Sequence, residues 1–298
     1  IDGASSVSLS GAVLSSSASH AVAVASVDGS LSIVDTIVAA DLNAVSIIGD
    51  ATSTAVISVE RSTLSSIGTV NALRLGAAFA GRLTISHSTL QSAASDGVHF
   101  FAAGTSGSIA LLHTTVTAVN GVRLVSLAGG TLEISGGSSN AVVAVYVTTS
   151  VDAASSITLS DVTATCATHG LQVDGACSGS LSVSGGNIAA TASHAIVFKA
   201  AVAGKVLLTK ASVTSAGSHA VLFEGDLSGS LAVQRATLNG ATGHAISLLT
   251  LTGGSVRLSG GSLTGSNAAV KIDGVTDASS SVKLMNVAAT GTATHGVW

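Results

Sequence analysis

Proline is absent from this chain, and charged residues, aromatic rings and cysteines are scarce. The 298 residues include 34 Gly, no Pro, 2 Cys, 5 Phe, 1 Tyr and 1 Trp, and only 9% of them are charged. Soluble chains average about 25% charged residues, so this is not the composition of an ordinary mixed α/β enzyme. The 11 basic residues form no run or stripe, which argues against nucleic acid as a partner.

Long apolar runs are missing as well, although the mean hydropathy is +0.66. A membrane-spanning helix needs about 18 consecutive apolar residues, and the longest candidate run covers only residues 141–147. The sequence therefore predicts no transmembrane segment. Ser, Thr, Ala, Gly and Val dominate instead, and their order decides whether they form a fold.

An apolar pair recurs along the whole chain at steps of 23 to 26 residues. The fragment Gly-Ser-Leu-Ser-Val at 179–183 returns with small changes at 229–233 and 254–258. Its two apolar positions occur in twelve copies: Val7/Leu9, Leu31/Ile33, Ile57/Val59, Leu83/Ile85, Ile109/Leu111, Leu132/Ile134, Ile157/Leu159, Leu181/Val183, Val206/Leu208, Leu231/Val233, Val256/Leu258 and Val282/Leu284. Such a period is typical of a solenoid.

A second block in each repeat reads His-Ala-Ile-Val-Phe at 194–198 and His-Ala-Val-Leu-Phe at 219–223. Both blocks alternate apolar with small or polar residues, the period of strands that bury one face. The predicted core stack of the second block is Val22, Val45, Leu73, Val98, Val122, Leu171, Ile196, Val221, Ile246 and Val270, with Phe100, Phe198 and Phe223 beside it, and its columns also include Val142 and Ala144.

Two or three short strands per repeat, all running the same way, predict an all-β fold. We expect a parallel β-helix (β-solenoid) of about 12 rungs of about 25 residues, one continuous domain over residues 1–298. The absence of proline fits, because every amide in a central strand bonds to the next rung.

The position that opens the second block is almost always His, Asn or Asp. The column reads His20, Asn43, Asn71, Asp96, Asn120, Asn140, His169, His194, His219, His244 and His295, with Ala268 as the exception. These side chains bond readily to nearby backbone, so we expect a structural polar ladder. Metal binding by the recurring histidines is the alternative, but a column with a spacing of about 4.8 Å does not converge on one ion. No metal and no cofactor are predicted.

A second polar column follows the first block and includes Asp35, Arg61, His87, His113 and Asp161. Its chemistry changes from rung to rung, which indicates a solvated bend. Adjacent rungs offer two ion pairs, Asp35 with Arg61 and Lys199 with Glu224. A metal-linked or catalytic pair of His87 with His113 is the minor alternative.

Cys166 and Cys177 are the only cysteines. The strand between them holds their Cα atoms beyond the roughly 7 Å limit for a disulfide. We therefore predict two small buried thiols.

The repeated blocks resemble the right-handed, pectin-lyase-like parallel β-helix superfamily over essentially the whole chain. The resemblance implies a right-handed coil, and its members include polysaccharide lyases and hydrolases as well as adhesins and fibres. The enzymes cluster acids and bases on adjacent rungs, whereas the best cluster here is Asp28, Asp35, Asp41 and Asp50. The non-enzymatic surface, fibre or adhesin type is the better match, so no catalytic residue is predicted.

A coat of small uncharged residues suits lateral packing, because few charges need desolvation. The expected function is a structural subunit of an extracellular filament, appendage or surface layer, at the cell surface or outside the cell. It assembles with itself as a homo-oligomer or with neighbouring surface proteins, through its sides or end to end, as a segment of a longer or stacked assembly. O-glycans would be a second way to keep such a coat soluble. No N-glycosylation sequon occurs, so N-glycans are not predicted. The alternatives are an adhesin that binds a cell or glycan, and a polysaccharide lyase or hydrolase.

Overall fold

The computed structural model describes residues 1–2, 5–275, 277–293 and 295–297. The fold is an all-β parallel β-solenoid of about 11 turns of about 25 residues, which confirms the predicted fold class. Within the described ranges the chain contains no helix, and hence none that could cross a membrane. The chain divides into two compact units, Ile1–Tyr146 and Val147–Trp298.

The first unit is built from short strands, of which the last runs across the division. They are β1 Ser6–Ser10, β2 Val13–Ser16, β3 Val22–Val24, β4 Ser30–Val34, β5 Ile37–Ala40, β6 Val45–Ile47, β7 Val56–Glu60, β8 Thr63–Ser66, β9 Leu73–Leu75, β10 Arg82–Ser86, β11 Thr89–Ser92, β12 Asp96–Phe100, β13 Ser108–Leu112, β14 Thr115–Leu127, β15 Thr131–Ser135 and β16 Ser138–Val151.

The second unit repeats the same three-strand turn. Its strands are β17 Ser156–Ser160, β18 Thr163–Val173, β19 Ser180–Ser184, β20 Asn187–Ala190, β21 Ile196–Phe198, β22 Lys205–Thr209, β23 Ser212–Ser215, β24 Val221–Leu227, β25 Ser230–Gln234, β26 Thr237–Gly240, β27 Ile246–Leu251, β28 Ser255–Ser259, β29 Ser262–Gly265, β30 Ala268–Val275, β31 Ser281–Met285, β32 Ala288–Gly291 and β33 His295–Val297.

The first strands of successive turns pair in parallel and in the predicted register. In the first unit Leu31 lies opposite Val7 on one side and Ile57 on the other. In the second unit Leu181 lies opposite Ile157 and Val206. The apolar pairs therefore stack turn upon turn, and no turn has to bury its own apolar face alone.

The predicted core stack is buried throughout, apart from the half-buried Val22 in the first turn. Phe198 and Phe223 stack at a ring-centroid distance of 4.8 Å. Phe100 meets Phe79 edge to face at 5.3 Å. The third strand differs from the expectation of one buried face, because β6, β12 and β21 are buried at every position.

One turn breaks the predicted alignment, the turn that contains β16. Val142 is 38% exposed, while Val143, Val145 and Val147 are buried. The guanidinium of Arg123 lies over the ring of Tyr146, so Val145 rather than Val142 corresponds to Val122. The prediction was wrong here because residues 141–147 form a nearly uniform apolar run in which a three-residue displacement leaves the pattern unchanged.

The bend after each first strand is a left-handed residue. The second polar column takes this conformation without a glycine, as in Asp35, Arg61, His87 and Lys210, with φ between 45° and 53°. Gly136, Gly185 and Gly260 occupy the same position in other turns. A left-handed conformation costs roughly 1–2 kcal/mol for a residue with a Cβ, so the fold imposes this geometry against local preference.

Both cysteines are free and buried, as predicted. Cys166 pairs with Ala190 on the next turn. Cys177 lies in a separate buried column between Val151 and Val202. Burial raises the pKa of the Cys177 thiol to about 11, so this thiol is protonated and inert at neutral pH.

Candidate functional site

In the first unit the ladder is a chain of hydrogen bonds from one turn to the next. The amide N–H of Asn43 donates to Nδ1 of His20 at 3.2 Å. The N–H of Asn71 donates to Oδ1 of Asn43 at 3.0 Å, and that of Asp96 to Oδ1 of Asn71 at 3.1 Å. The side chain of Asn120 then donates to Oδ1 of Asp96 at 2.6 Å. Each ladder residue thus provides the acceptor that a buried amide of the next turn needs.

In the second unit the same position carries stacked imidazoles. The ring centroids of His169, His194, His219 and His244 follow at 5.9, 5.2 and 5.0 Å. The N–H groups of His219, His244 and Ala268 donate to Nδ1 of the preceding histidine at 3.3, 2.8 and 3.1 Å. Ala268 has no acceptor side chain to continue the series.

The imidazole ladder depends on the protonation state of its rings. Nδ1 accepts an N–H only when it carries no proton. Burial, with repulsion between neighbouring rings, lowers the pKa of His194 and of His219 to about 4. Burial also lowers the pKa of His169. The rings of His194 and His219 are therefore neutral at pH 7, as the N–H bonds that their Nδ1 atoms accept require.

Two predicted ladder positions, Asn140 and His295, are not part of the described ladder. Asn140 is exposed, and the displaced turn puts the buried Val143 in its register instead. The assignment of Asn140 to the ladder was therefore wrong. The side chain of His295 lies outside the described residues.

The most polar buried point in the first unit lies beside the ladder, at Asp96. Nδ1 of His99 lies 2.7 Å from Oδ2 of Asp96, and both side chains are at least 93% buried. The ring of His99 stacks on Phe101 at a centroid distance of 3.7 Å. This carboxyl therefore serves the ladder through Oδ1, while its Oδ2 lies against the ring of His99.

Two arginines flank His99 in register on the adjoining turns. Arg74 on β9 and Arg123 on β14 are the strand partners of His99. The guanidinium carbon of Arg74 lies 4.6 Å from the centroid of Phe101, and that of Arg123 lies 5.5 Å from the centroid of Tyr146. Arg123 also approaches Oδ2 of Asp96 at 3.9 Å. We call Arg74, Asp96, His99, Phe101, Arg123 and Tyr146 the arginine cluster.

The arginine cluster holds polar atoms that lack partners within the described part of the chain. The Nε–H groups of Arg74 and Arg123 are buried and donate no hydrogen bond. The hydroxyl of Ser46, the register neighbour of Arg74, is likewise buried and unpaired. Unpaired buried donors are rare in folded proteins, so these atoms distinguish the cluster from the saturated ladder.

Three of the four aspartates singled out from the sequence bond to the neighbouring turn. The carboxylate of Asp35 accepts two N–H bonds from Arg61, at 2.8 and 2.9 Å, which confirms the predicted pair. Asp28 accepts from Thr52 and Thr54, and both bonds lower the pKa of its carboxyl. Asp50 accepts the N–H of Ala78 at 3.1 Å. The structure does not bring these carboxyls together around a common point.

Distances in the structure decide the outcome for two other predicted pairs, Lys199 with Glu224 and His87 with His113. Lys199 pairs with Asp174 at 3.1 Å rather than with Glu224. The rings of His87 and His113 lie 5.2 Å apart on the exposed bend. Across the described ranges, no group of three or more His, Cys, Asp or Glu side chains is arranged to hold a metal ion.

Sequence reasoning missed the arginine cluster. Its members are isolated in the sequence, where the basic residues form no run and aromatic rings are scarce. Phe101 is nevertheless 43% exposed between them. The signal was available, since Arg74, His99 and Arg123 occupy the same position between two core residues of the second block.

No protein-family model matches the chain, no curated protein matches its sequence, and no solved structure matches its fold. The class that the fold defines, an all-β parallel β-solenoid, is therefore the extent of its classification.

Proposed function

We propose that the chain is a structural subunit of an extracellular filament, appendage or surface layer, and that it assembles by lateral packing. The observation that carries this proposal is the exposed side of the first-strand sheet in each unit. The middle outward positions are Ser8, Ser32, Ser58, Thr84, Ala110 and Glu133 in the first unit, and Thr158, Ser182, Leu207, Ala232, Arg257 and Lys283 in the second. Most of these side chains are small and uncharged.

The geometry of this sheet favours close approach by a second surface. From β1 to β15 the register runs without a shift, so the outward side chains align in rows spaced by about 4.8 Å. Two sheets pack face to face at about 10 Å when the side chains between them interdigitate. Ser, Thr and Ala, which make up most of these positions, meet this condition at little desolvation cost because they carry no charge.

The same proposal assigns the chain no catalytic role. In support, the Asp96–His99 pair is buried, and within the described ranges no hydroxyl is hydrogen-bonded to the second ring nitrogen of His99. A nucleophile within hydrogen-bond reach of the base is the usual signature of a Ser-type triad. The carboxyls of Asp28, Asp35 and Asp50 are bonded to neighbouring turns, as described above.

Charge placed on the first-strand sheet tests the lateral packing. Thr84→Lys and Ser182→Lys each introduce a cation into the proposed interface, so we expect assembly to be lost. Gln91→Lys and Ala189→Lys, on the second strands β11 and β20 of the same turns, are the matched controls. Sedimentation velocity and electron microscopy should show lateral assemblies of the wild type and the controls only. A wild type that stays monomeric at high concentration, or controls that dissociate equally, would contradict the proposal.

A further inference from the structure

The arginine cluster carries more positive charge than the fold requires. One carboxyl serves this cluster, that of Asp96, whose Oδ2 lies 2.7 Å from Nδ1 of His99 and 3.9 Å from Arg123. Within the described ranges, no carboxyl lies within 4.0 Å of Arg74. The cluster is thus locally cationic in a chain whose net charge is −4. A structural ion pair does not explain Arg74.

Both guanidinium groups are held in place by an aromatic ring. Arg74 lies against the ring of Phe101 and Arg123 against that of Tyr146. His99, fixed by Asp96, stacks on Phe101 and so restrains that ring. Side chains restrained in this way lose little entropy when they bind. The two cations are therefore positioned before any ligand arrives.

The spacing of the arginines indicates a ligand with more than one anionic group. Arg74 and Arg123 are the partners of His99 on opposite sides, so two strand spacings, about 9.6 Å, separate their backbone positions. The side chain of Arg123 is 38% exposed and Arg74 is partly exposed. Guanidinium groups bind carboxylate and sulfate oxygens through paired N–H bonds.

The surroundings favour a sugar chain over a peptide or a nucleic acid. Strands β9 and β12 are paired on both sides, so no free edge is available for an added peptide strand. A polynucleotide is held by many phosphate contacts along a basic track, and this site offers only two arginines. A sugar chain needs side-chain contacts alone, and the partly exposed ring of Phe101 adds an apolar surface for it.

We propose that Arg74 and Arg123, braced by Phe101 and Tyr146, form a binding site for an oligosaccharide that carries oxyanion groups. The oxyanions are either sulfates or carboxylates, and each guanidinium takes one of them. This site goes beyond the structural function proposed above and does not depend on lateral assembly.

Calorimetric titration of the whole chain tests the site with four probes. They are a sulfated heparin-derived hexasaccharide, an oligomannuronate that carries carboxylates only, the neutral maltohexaose and a short single-stranded DNA. We expect one or both acidic sugars to bind, and the sulfated and carboxylated arms show which oxyanion is recognised. Maltohexaose should not bind.

Arg74→Gln and Arg123→Gln should each weaken that binding about tenfold or more, since each removes one charge-assisted contact. Arg82→Gln, on the exposed start of β10, is the matched control and should bind as the wild type does. Thermal unfolding of all three variants verifies that they are folded. The proposal is overturned if neither acidic sugar binds, if both cluster variants retain wild-type affinity, if Arg82→Gln weakens binding equally, or if the DNA binds more tightly than either sugar.

Discussion

After His20 in its first turn, the ladder of the first unit is made of amide and carboxyl groups, with Asn43, Asn71 and Asp96 at its centre. In the second unit it is made of the stacked rings of His194, His219 and His244. Both versions provide an acceptor for the next turn's amide N–H, at 3.0–3.2 Å in the first unit and 2.8–3.3 Å in the second. The backbone therefore needs an acceptor of the right reach, and amide oxygen, carboxylate oxygen and imidazole nitrogen all meet the need.

The two chemistries differ in what else they bring. An amide does not titrate, whereas an imidazole accepts at Nδ1 only while it is neutral there. The carboxyl of Asp96 brings charge, and charge attracts His99 and Arg123 to the same point. The first unit thus gains a polar centre, and the second gains a dependence on pH.

The largest expected effect is the loss of the carboxyl at Asp96. Asp96→Leu removes the acceptor for Asn120 and the partner of His99, and it leaves polar groups buried without bonds. Breaking a buried pair in this way costs about 3–5 kcal/mol. Urea unfolding should show this decrease in the free energy of unfolding. Asp226→Leu, at an exposed position, is the control and should stay within about 0.5 kcal/mol of the wild type.

The equivalence of the two ladders predicts that they can exchange chemistry. His219→Leu leaves the N–H of His244 without its acceptor, at a cost of about 1–3 kcal/mol. His219→Asn supplies an amide oxygen, as Asn43 does for Asn71, and should recover most of that loss. Chemical denaturation of both variants measures the difference. If Asn and Leu destabilise equally, ring stacking rather than hydrogen bonding holds the second ladder.

The imidazole ladder should make stability depend on pH. The pKa values of His194 and His219 are about 4 in the folded chain and about 6.5 when unfolded. Between these values the unfolded state binds more protons, so the free energy of unfolding falls as the pH falls below about 6.5 and stops falling near 4. Allowing for solvent screening of half-exposed rings, we expect about 1 kcal/mol per histidine.

Denaturation between about pH 7 and pH 5.5 isolates this effect, because most carboxyls titrate lower. The double variant His194→Asn, His219→Asn should flatten the curve over that range. The converse variant, Asn71→His, should steepen it by placing a buried imidazole in the first ladder. A wild-type curve that is flat between pH 7 and pH 5.5 would show that the rings titrate normally.

The strands, their register and the ladder could be predicted because each turn repeats the same pattern, so a dozen copies correct one another. In the run around Val142 and Val145, apolar and polar residues no longer alternate. The predicted alignment is therefore wrong by three residues there, and Asn140 was assigned to the ladder incorrectly. The arginine cluster was not predicted from the sequence for a different reason. Its partners lie on different turns, and only the paired strands show that Arg74, His99 and Arg123 form one row.

The left-handed bends extend the comparison to a column where both units carry residues other than glycine. Lys210 has φ of 53°, which costs roughly 1–2 kcal/mol. Lys210→Gly relieves this cost but adds about 0.5–1 kcal/mol of backbone entropy in the unfolded chain. The net expectation is a gain of about 0.5–1 kcal/mol in the free energy of unfolding, measured by urea denaturation.

Lys205→Gly is the control. It lies at the start of β22, where φ is not positive, so it has no strain to relieve and should lose stability instead. If both variants lose stability equally, interactions of the Lys210 side chain offset the strain of its backbone. Glycine, as in Gly185 and Gly260, would then give this left-handed position no advantage in stability.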